Sequence, residues 1–228
     1  CHALKPKKAL IPVPTFAEYE QALESVGAEV EHVLLKEEDE FRVQDSFIDW
    51  LHKDLDMVFL CNPNNPTGIL TDREFLFRLL RVCREMGIFL VVDECFQDFI
   101  REPGQYSLKA QLPRYHNLFL LKAFTKRYAM AGVRLGYGIT ENEELLEKMT
   151  QATQPWNISI PAQAAGIAAL GEVEYVERAR KLIFAESEYL SEELYKLGMT
   201  VFPSQANYLF FKGPEDLFEI CVGQNVLI

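Results

Sequence analysis

Short apolar runs alternate with amphipathic segments along most of the chain. The runs have the length and β-branched or aromatic content of buried strands, and the segments between them repeat apolar residues with a helical period. The predicted strands cover 9–13, 30–35, 57–60, 88–92, 118–121 and 133–138, and the first predicted helices cover 16–26, 45–52 and 71–85. Strands that alternate with helical crossovers predict an α/β fold with a mainly parallel sheet flanked by helices.

The pattern changes towards the carboxyl end of the chain. Helices are predicted over 142–153 and 161–170, followed by one long helix over 173–197 and short strands over 200–202 and 208–212. We therefore expect a large domain over 1–170, and a bridging helix with the start of a smaller α+β domain over 171–228. The helix over 71–85 should begin with a capping box at Thr71-Asp72-Arg73-Glu74.

Composition narrows the class of protein. The chain has 228 residues, 49% of them hydrophobic and 25% charged, which is enough apolar material for a sizeable core. A net charge of -11 argues against nucleic acid and anionic membranes as partners. No apolar run is long enough for a membrane span, and the five scattered cysteines suit a reducing compartment, so we expect a cytoplasmic protein. The four histidines have no ligand-like spacing, and no metal site is expected.

Lys126 is the first candidate for chemistry. It follows the apolar run LFLL and precedes VRLGY, so we expect a short link to hold its amine inside the fold. A desolvated lysine loses proton affinity and can condense with a carbonyl as a Schiff base, which is how enzymes hold pyridoxal phosphate. Taken alone, Lys126 could equally be an ordinary loop residue.

Three further motifs favour the chemical interpretation. The turn CNPNNPTG over 61–68 follows a predicted strand and offers amide side chains at its carboxyl end, where open α/β sheets bind ligands. The apolar run from Ile88 ends in Asp93, a carboxylate suited to a protonated pyridine nitrogen. Thr125 and Arg134 supply a hydroxyl and a guanidinium for a phosphate. The ordinary interpretations are a plain turn, a helix cap and a surface arginine.

Together these motifs resemble the class I/II aminotransferase superfamily of fold type I pyridoxal phosphate enzymes. The resemblance is carried by NPTG, by the strand that ends in Asp-Glu, and by T-K followed eight residues later by R-L-G-Y. It implies that Lys126 binds the cofactor covalently and that Asp93 pairs with its ring nitrogen. It also implies that Asn65 donates to the 3-oxygen and that Thr125 and Arg134 hold the phosphate.

The same resemblance implies a stacking residue, a substrate class and an assembly. Pro14-Thr15-Phe16 matches the segment whose aromatic side chain stacks on the cofactor ring, which makes Phe16 the candidate. The substrate would be a small amino acid or phosphorylated amino acid, and the assembly a homodimer. Members of the superfamily are longer than this chain, so we expect residues before Cys1 and after Ile228 that complete the phosphate and substrate-carboxylate sites.

Within the superfamily, several segments resemble threonine-phosphate decarboxylases of the cobalamin pathway and their relatives, the histidinol-phosphate aminotransferases. These segments are PTFAEYEQAL, VVDECFQDF, LLKAFTKRYAMAGVRLGYG and QPWNISIPAQAAGIAAL. Phe96 stands where aminotransferases usually carry a tyrosine that contacts the 3-oxygen, and Ala123 stands where relatives often carry a phosphate-binding hydroxyl. The missing phenol favours decarboxylation over transamination. A non-catalytic aminotransferase-like domain of a regulator is the alternative from another class.

Overall fold

Six strands form the central sheet of the protein, in the order β2-β1-β3-β4-β5-β6. A computed structural model describes all residues from Cys1 to Ile228. The strands are β1 (Lys8–Val13), β2 (Glu29–Leu34), β3 (Met57–Cys61), β4 (Phe89–Asp93), β5 (Leu118–Ala123) and β6 (Gly136–Ile139). The first five are parallel and β6 pairs antiparallel with β5. The expectation of a mainly parallel α/β sheet is confirmed.

Eight helices surround or follow this sheet. They are α1 (Glu18–Glu24), α2 (Arg73–Met86), α3 (Pro103–Tyr106), α4 (Phe124–Arg127), α5 (Glu143–Ala152), α6 (Ile160–Leu170), α7 (Val173–Lys196) and α8 (Leu217–Gly223). The predicted α-helix over 45–52 is wrong in type, because Asp45–Trp50 forms a 3-10 helix. None of the helices is both long enough and apolar enough to cross a membrane.

The amino end of α2 shows how local chemistry sets a boundary. The expected cap, Thr71, is wrong by one residue: the Asp72 side chain accepts hydrogen bonds from the backbone N–H groups of Glu74 (2.7 Å) and Phe75 (3.1 Å). Thr71 instead donates its own N–H to Asn62 Oδ1 at 2.8 Å, which ties the start of the helix to the end of β3. The carboxylate of Asp72 also lies favourably at the positive end of the helix dipole.

Two hydrophobic clusters cover the two faces of the sheet. The α2 face holds Leu90 and Val92 of β4, and the α1 face holds Val91 of the same strand. This alternation follows from the two-residue period of a strand. At the end of the strand, the same alternation places Asp93 on the α1 face, and the next residue, Glu94, on the α2 face.

The carboxyl-terminal region packs back on the turn that follows β3. Strands β7 (Thr200–Val201) and β8 (Phe211–Lys212) form a two-stranded antiparallel sheet. Between them, Gln205 donates its N–H to the carbonyl oxygen of Gly68 at 2.7 Å. Gly68 has φ +70°, and a Cβ built there would lie 2.0 Å from Ser204 Oγ. Glycine is therefore required at this position both by the left-handed backbone and by the close approach.

Candidate active site

The predicted site residues lie at one edge of the sheet. Asp93 is the last residue of β4, and Lys126 lies in α4 directly after β5. Asn65 and Phe16 follow the ends of β3 and β1. Since these four strands are parallel, their carboxyl ends meet at the edge where open α/β sheets bind ligands.

The Asp93 carboxylate is held by two donors from the chain. Its Oδ2 accepts a hydrogen bond from the Tyr19 hydroxyl at 2.6 Å, and its Oδ1 accepts the backbone N–H of Cys95 at 2.8 Å. Burial raises the pKa of Tyr19 well above its usual range, and the charge of Asp93 contributes in the same direction. The phenol therefore keeps its proton and acts as a donor. Sequence reasoning identified Asp93 but not Tyr19.

Lys126 is placed differently from the sequence expectation. It is exposed, so the expectation of a buried amine is wrong, and the expected loop is the single helical turn α4. That turn ends the strand and directs the side chain outward over the ring of Phe96, with Nζ 5.2 Å from the ring centroid. The amine takes part in none of the ion pairs or hydrogen bonds of the chain, which leaves it available to an incoming group.

The buried lysine of this region is Lys122. Its Nζ lies 2.9 Å from Glu94 Oε2 and donates to Gln97 Oε1 at 3.1 Å. Glu94 is fully buried and also accepts from Ser107 Oγ (2.9 Å) and from the backbone N–H of Leu108 (3.0 Å). A buried pair with this many partners is a fixed structural element, since its charges and lone pairs are satisfied within the chain. The amine of Lys122 is thus held by partners within the chain, and the amine of Lys126 is not.

Asn64 and Asn65, in the turn after β3, differ in their hydrogen bonds. Asn64 accepts from Thr15 Oγ1 at 2.8 Å and donates to Pro14 O and Thr67 Oγ1, both at 3.0 Å. These bonds join the turn to the segment that carries Phe16. The side chain of Asn65 makes no such bond, so its amide is free to contact a ligand, and its predicted contact with the 3-oxygen of the cofactor stays a prediction.

The candidate phosphate residues are less closely organised. Thr125 lies in α4 beside Lys126 and its hydroxyl makes no hydrogen bond within the chain. Arg134 is exposed, adopts a left-handed conformation with φ 55°, and donates only to the carbonyl oxygen of Ala131 at 3.2 Å. No contact joins Arg134 to Thr125. Both are uncommitted donors, but the structure does not assemble them into a closed phosphate pocket.

An open cavity of about 670 Å³ lies on the α1 face of the sheet. Of its 24 lining residues, 17 are hydrophobic. Asp93, Phe16, Tyr19 and Lys122 are among its lining residues, whereas Lys126 lies outside it. The cavity therefore brings together the carboxylate and the aromatic ring of the predicted site, within a largely apolar wall.

Tyr208, which sequence reasoning missed, also reaches this edge. Its ring packs edge-on against Phe96 with centroids 5.0 Å apart, and its hydroxyl donates to the carbonyl oxygen of Asn64 at 2.8 Å. Burial raises the pKa of Tyr208, with smaller contributions from Cys61 and Asp93. No local sequence signal predicts this contact, because 144 residues separate Tyr208 from Asn64.

Comparison with known proteins agrees with this arrangement. The family model for aminotransferase class I and II matches residues 1–225. A threonine-phosphate decarboxylase from Salmonella typhimurium is 35% identical over 92% of this chain and 57% of its own length. A histidinol-phosphate aminotransferase from Desulfitobacterium hafniense is 36% identical over 96% of this chain and 61% of its own. The chain belongs to the class I and II aminotransferase family, whose members are pyridoxal phosphate-dependent enzymes.

Solved structures give the same result for the fold. The crystal structure of the histidinol-phosphate aminotransferase from Clostridium acetobutylicum superposes with a TM-score of 0.92 at 32% identity, over 99% of this chain and 69% of that one. Aspartate aminotransferase from Thermus thermophilus, at 22% identity and a TM-score of 0.85, shares the fold. The chain spans 57% to 61% of the length of the curated relatives named above.

Proposed function

We propose that the whole protein is a pyridoxal phosphate-dependent decarboxylase of a phosphorylated amino acid, similar to threonine-phosphate decarboxylases. The observation that carries the proposal is Phe96. The Lys126 amine lies over the ring of this phenylalanine, which is buried, 8% exposed and without a hydroxyl. The nearby phenol of Tyr208 is committed to the carbonyl oxygen of Asn64.

The side chains present fit the cofactor chemically. Lys126 has an uncommitted amine for the covalent link, and Asp93 presents a carboxylate for the ring nitrogen in the wall of a largely apolar cavity. Phe16 lines the same cavity and is 42% exposed, which suits an aromatic ring that awaits a stacking partner. Asn65, Thr125 and Arg134 are uncommitted donors for the oxygens of the cofactor. When bound, pyridoxal phosphate withdraws electrons from the bond that breaks at Cα of the substrate.

The residues of this chain would have separate tasks in the reaction. Asp93 holds the positive charge of the ring nitrogen, because an unpaired cation in an apolar wall would be costly. Phe16 excludes water from one side of the cavity. Transamination would require a base that takes the proton from Cα of the substrate and delivers it to the cofactor, a task for the Lys126 amine. Decarboxylation would break the bond to the carboxylate, release carbon dioxide and place a proton on Cα, without removing one first, so it tolerates the loss of a tuning phenol at Phe96 better.

A histidinol-phosphate-type aminotransferase is the second candidate. It is supported by the TM-score of 0.92 with the Clostridium acetobutylicum enzyme and by 36% identity to the Desulfitobacterium hafniense enzyme. Both candidates act on amino compounds that carry a phosphate ester. We further propose a homodimer in the cytoplasm as the working assembly, as the resemblance to the family implies.

The test supplies the full-length protein, loaded with pyridoxal phosphate, with two sets of substrates. With O-phosphothreonine alone we expect release of carbon dioxide and of the corresponding amine. With histidinol phosphate and 2-oxoglutarate we expect no glutamate. Glutamate formation in the second assay without carbon dioxide in the first would overturn the decarboxylase proposal and favour the second candidate.

A further inference from the structure

The ring of Tyr19 is held by aromatic neighbours, and this packing orients its hydroxyl group. Its ring stacks on Phe59 with centroids 5.3 Å apart and planes inclined by 21°, and the ring of Phe16 meets it edge-on at 5.6 Å. Tyr19 is 6% exposed and lies in α1, whereas Asp93 lies at the end of β4. Because the ring is packed on both sides, its hydroxyl is directed towards the carboxylate of Asp93.

Tyr19 is the one side chain from a separate element that donates to the carboxylate, while the Cys95 thiol lies close to it on the same segment. Oδ2 accepts from Tyr19 and Oδ1 from the backbone N–H of Cys95. Each carboxylate oxygen has room for about two hydrogen bonds, so one acceptor position on each oxygen remains for a ligand. The Cys95 bond is local, two residues along the chain, and cannot by itself fix the rotation of the side chain. The Tyr19 bond joins separate elements and can.

From this geometry we infer that Tyr19 is a positioning residue for the cofactor: it acts through Asp93 and sets how strongly the carboxylate grips the ring nitrogen. The inference rests on the proposed function, because it requires Asp93 to be the partner of that nitrogen. The hydrogen bond of 2.6 Å from the phenol holds the carboxylate in its orientation at the wall of the cavity. Without the phenol the carboxylate can rotate away from the ring, so the contact with the nitrogen weakens.

The inference separates Tyr19 from a residue that merely packs. A packing defect would weaken the binding of every ligand of the cavity alike. Loss of a residue that acts through Asp93 would weaken only ligands that offer a ring nitrogen. Pyridoxal phosphate and 1-deazapyridoxal phosphate, in which a C–H group replaces that nitrogen, form the pair of probes that distinguishes these cases.

The experiment measures dissociation constants of both probes, by absorbance titration, for the full-length wild type and for the variants Tyr19→Phe and Asp93→Asn. Phenylalanine keeps the stack on Phe59 and removes the hydroxyl alone. We expect the wild type to prefer pyridoxal phosphate, and Tyr19→Phe to reduce that preference roughly ten-fold, as suits the loss of a hydrogen bond to a charged group. Once Asp93 is asparagine, adding Tyr19→Phe should leave the preference unchanged.

Tyr195→Phe is the matched control. Tyr195 donates its hydroxyl to the carbonyl oxygen of Val201 at 3.0 Å in the carboxyl-terminal region, so its variant also loses one phenolic hydrogen bond. We expect it to keep the full preference. A melting curve of each apo variant confirms that it is folded before the titration.

The outcomes separate the inference from the proposed function. A Tyr19→Phe protein that retains the wild-type preference, or loses affinity for both probes equally, overturns the positioning role and leaves the proposed function intact. A wild type without any preference between the probes removes Asp93 as the partner of the nitrogen, and the proposed site with it.

Discussion

Two lysines four positions apart differ in every property that bears on covalent chemistry. Lys122 is buried with a side chain 13% exposed and is ion-paired with Glu94, whereas the Lys126 amine is exposed and has no partner. A protonated amine in a satisfied buried pair is a poor nucleophile, because releasing its proton would leave Glu94 unpaired in the core. Of these two lysines, the one that the resemblance selects is therefore the one whose amine is not already held by a partner.

We expect borohydride reduction of the full-length protein with pyridoxal phosphate to fix the cofactor on Lys126. Peptide mapping by mass spectrometry identifies the labelled residue. Lys126→Ala should abolish the label without loss of folding, because an exposed amine without partners contributes little to stability. Label on Lys122 would contradict the assignment and would require the pair with Glu94 to break.

Which site residues could be predicted from the sequence depends on how far apart the interacting residues are along the chain. Asp93 could be identified because it ends an apolar run. The bond from Tyr19 to Asp93 could not, since 74 residues separate the two. Even so, Tyr19 carries a signal: it lies three residues after Phe16, a spacing that brings side chains together at the start of a helix. The expected burial of Lys126 failed because a single turn of helix reversed the direction of its side chain.

At the scale of elements, strand and helix positions were well predicted and their ends were not. The apolar runs mark the strands because both faces of the sheet are covered. The 3-10 helix over Asp45–Trp50 has the apolar spacing of an α-helix, so periodicity alone does not distinguish the two types. Contacts between the region after β7 and the turn after β3 have no local signal.

Gly68 is where these two regions meet, and its substitution tests their docking. We expect Gly68→Ala to lower the free energy of unfolding by about 2–4 kcal/mol, from left-handed backbone strain and from overlap with Ser204. Gly87→Ala is the matched control, because Gly87 has φ +77° and open space around the added Cβ. It should lose only about 1 kcal/mol. Urea unfolding measures both, and equal losses would show that docking on this turn contributes nothing.

At the scale of the whole molecule, buried thiols and phenols make the fold sensitive to alkali. Burial raises the pKa of Cys61 to about 12 and that of Cys83 to about 12, from 9.0, and also raises the pKa of Tyr19 and Tyr208. A neutral acid whose pKa is raised by folding stabilises the fold below its unfolded pKa. That contribution is lost as the pH rises, because the unfolded chain ionises first.

We therefore expect the free energy of unfolding to fall between about pH 8 and about pH 10.5, by about 2 kcal/mol for each buried thiol. Denaturant titrations at both values measure the change. Cys83→Ala should be less stable at the lower pH because of the cavity it leaves, yet its stability should fall less with pH than that of the wild type. Parallel pH curves for the two proteins would contradict the assignment.

The alternation at the end of β4 has a consequence for which ligands the protein accepts. Asp93 and Glu94 are neighbours on opposite faces, and the charge of Glu94 is neutralised internally by Lys122. The charge of Asp93 has hydrogen-bond donors but no cation. The carboxylate of Asp93 is therefore a negative charge without a cation partner in the wall of a largely apolar cavity, and the free cations of this sheet edge, Lys126 and Arg134, lie outside that wall. We therefore expect a guest that brings a positive charge to this wall to bind better than its neutral form, so the cavity would favour the protonated state of a heteroaromatic ring.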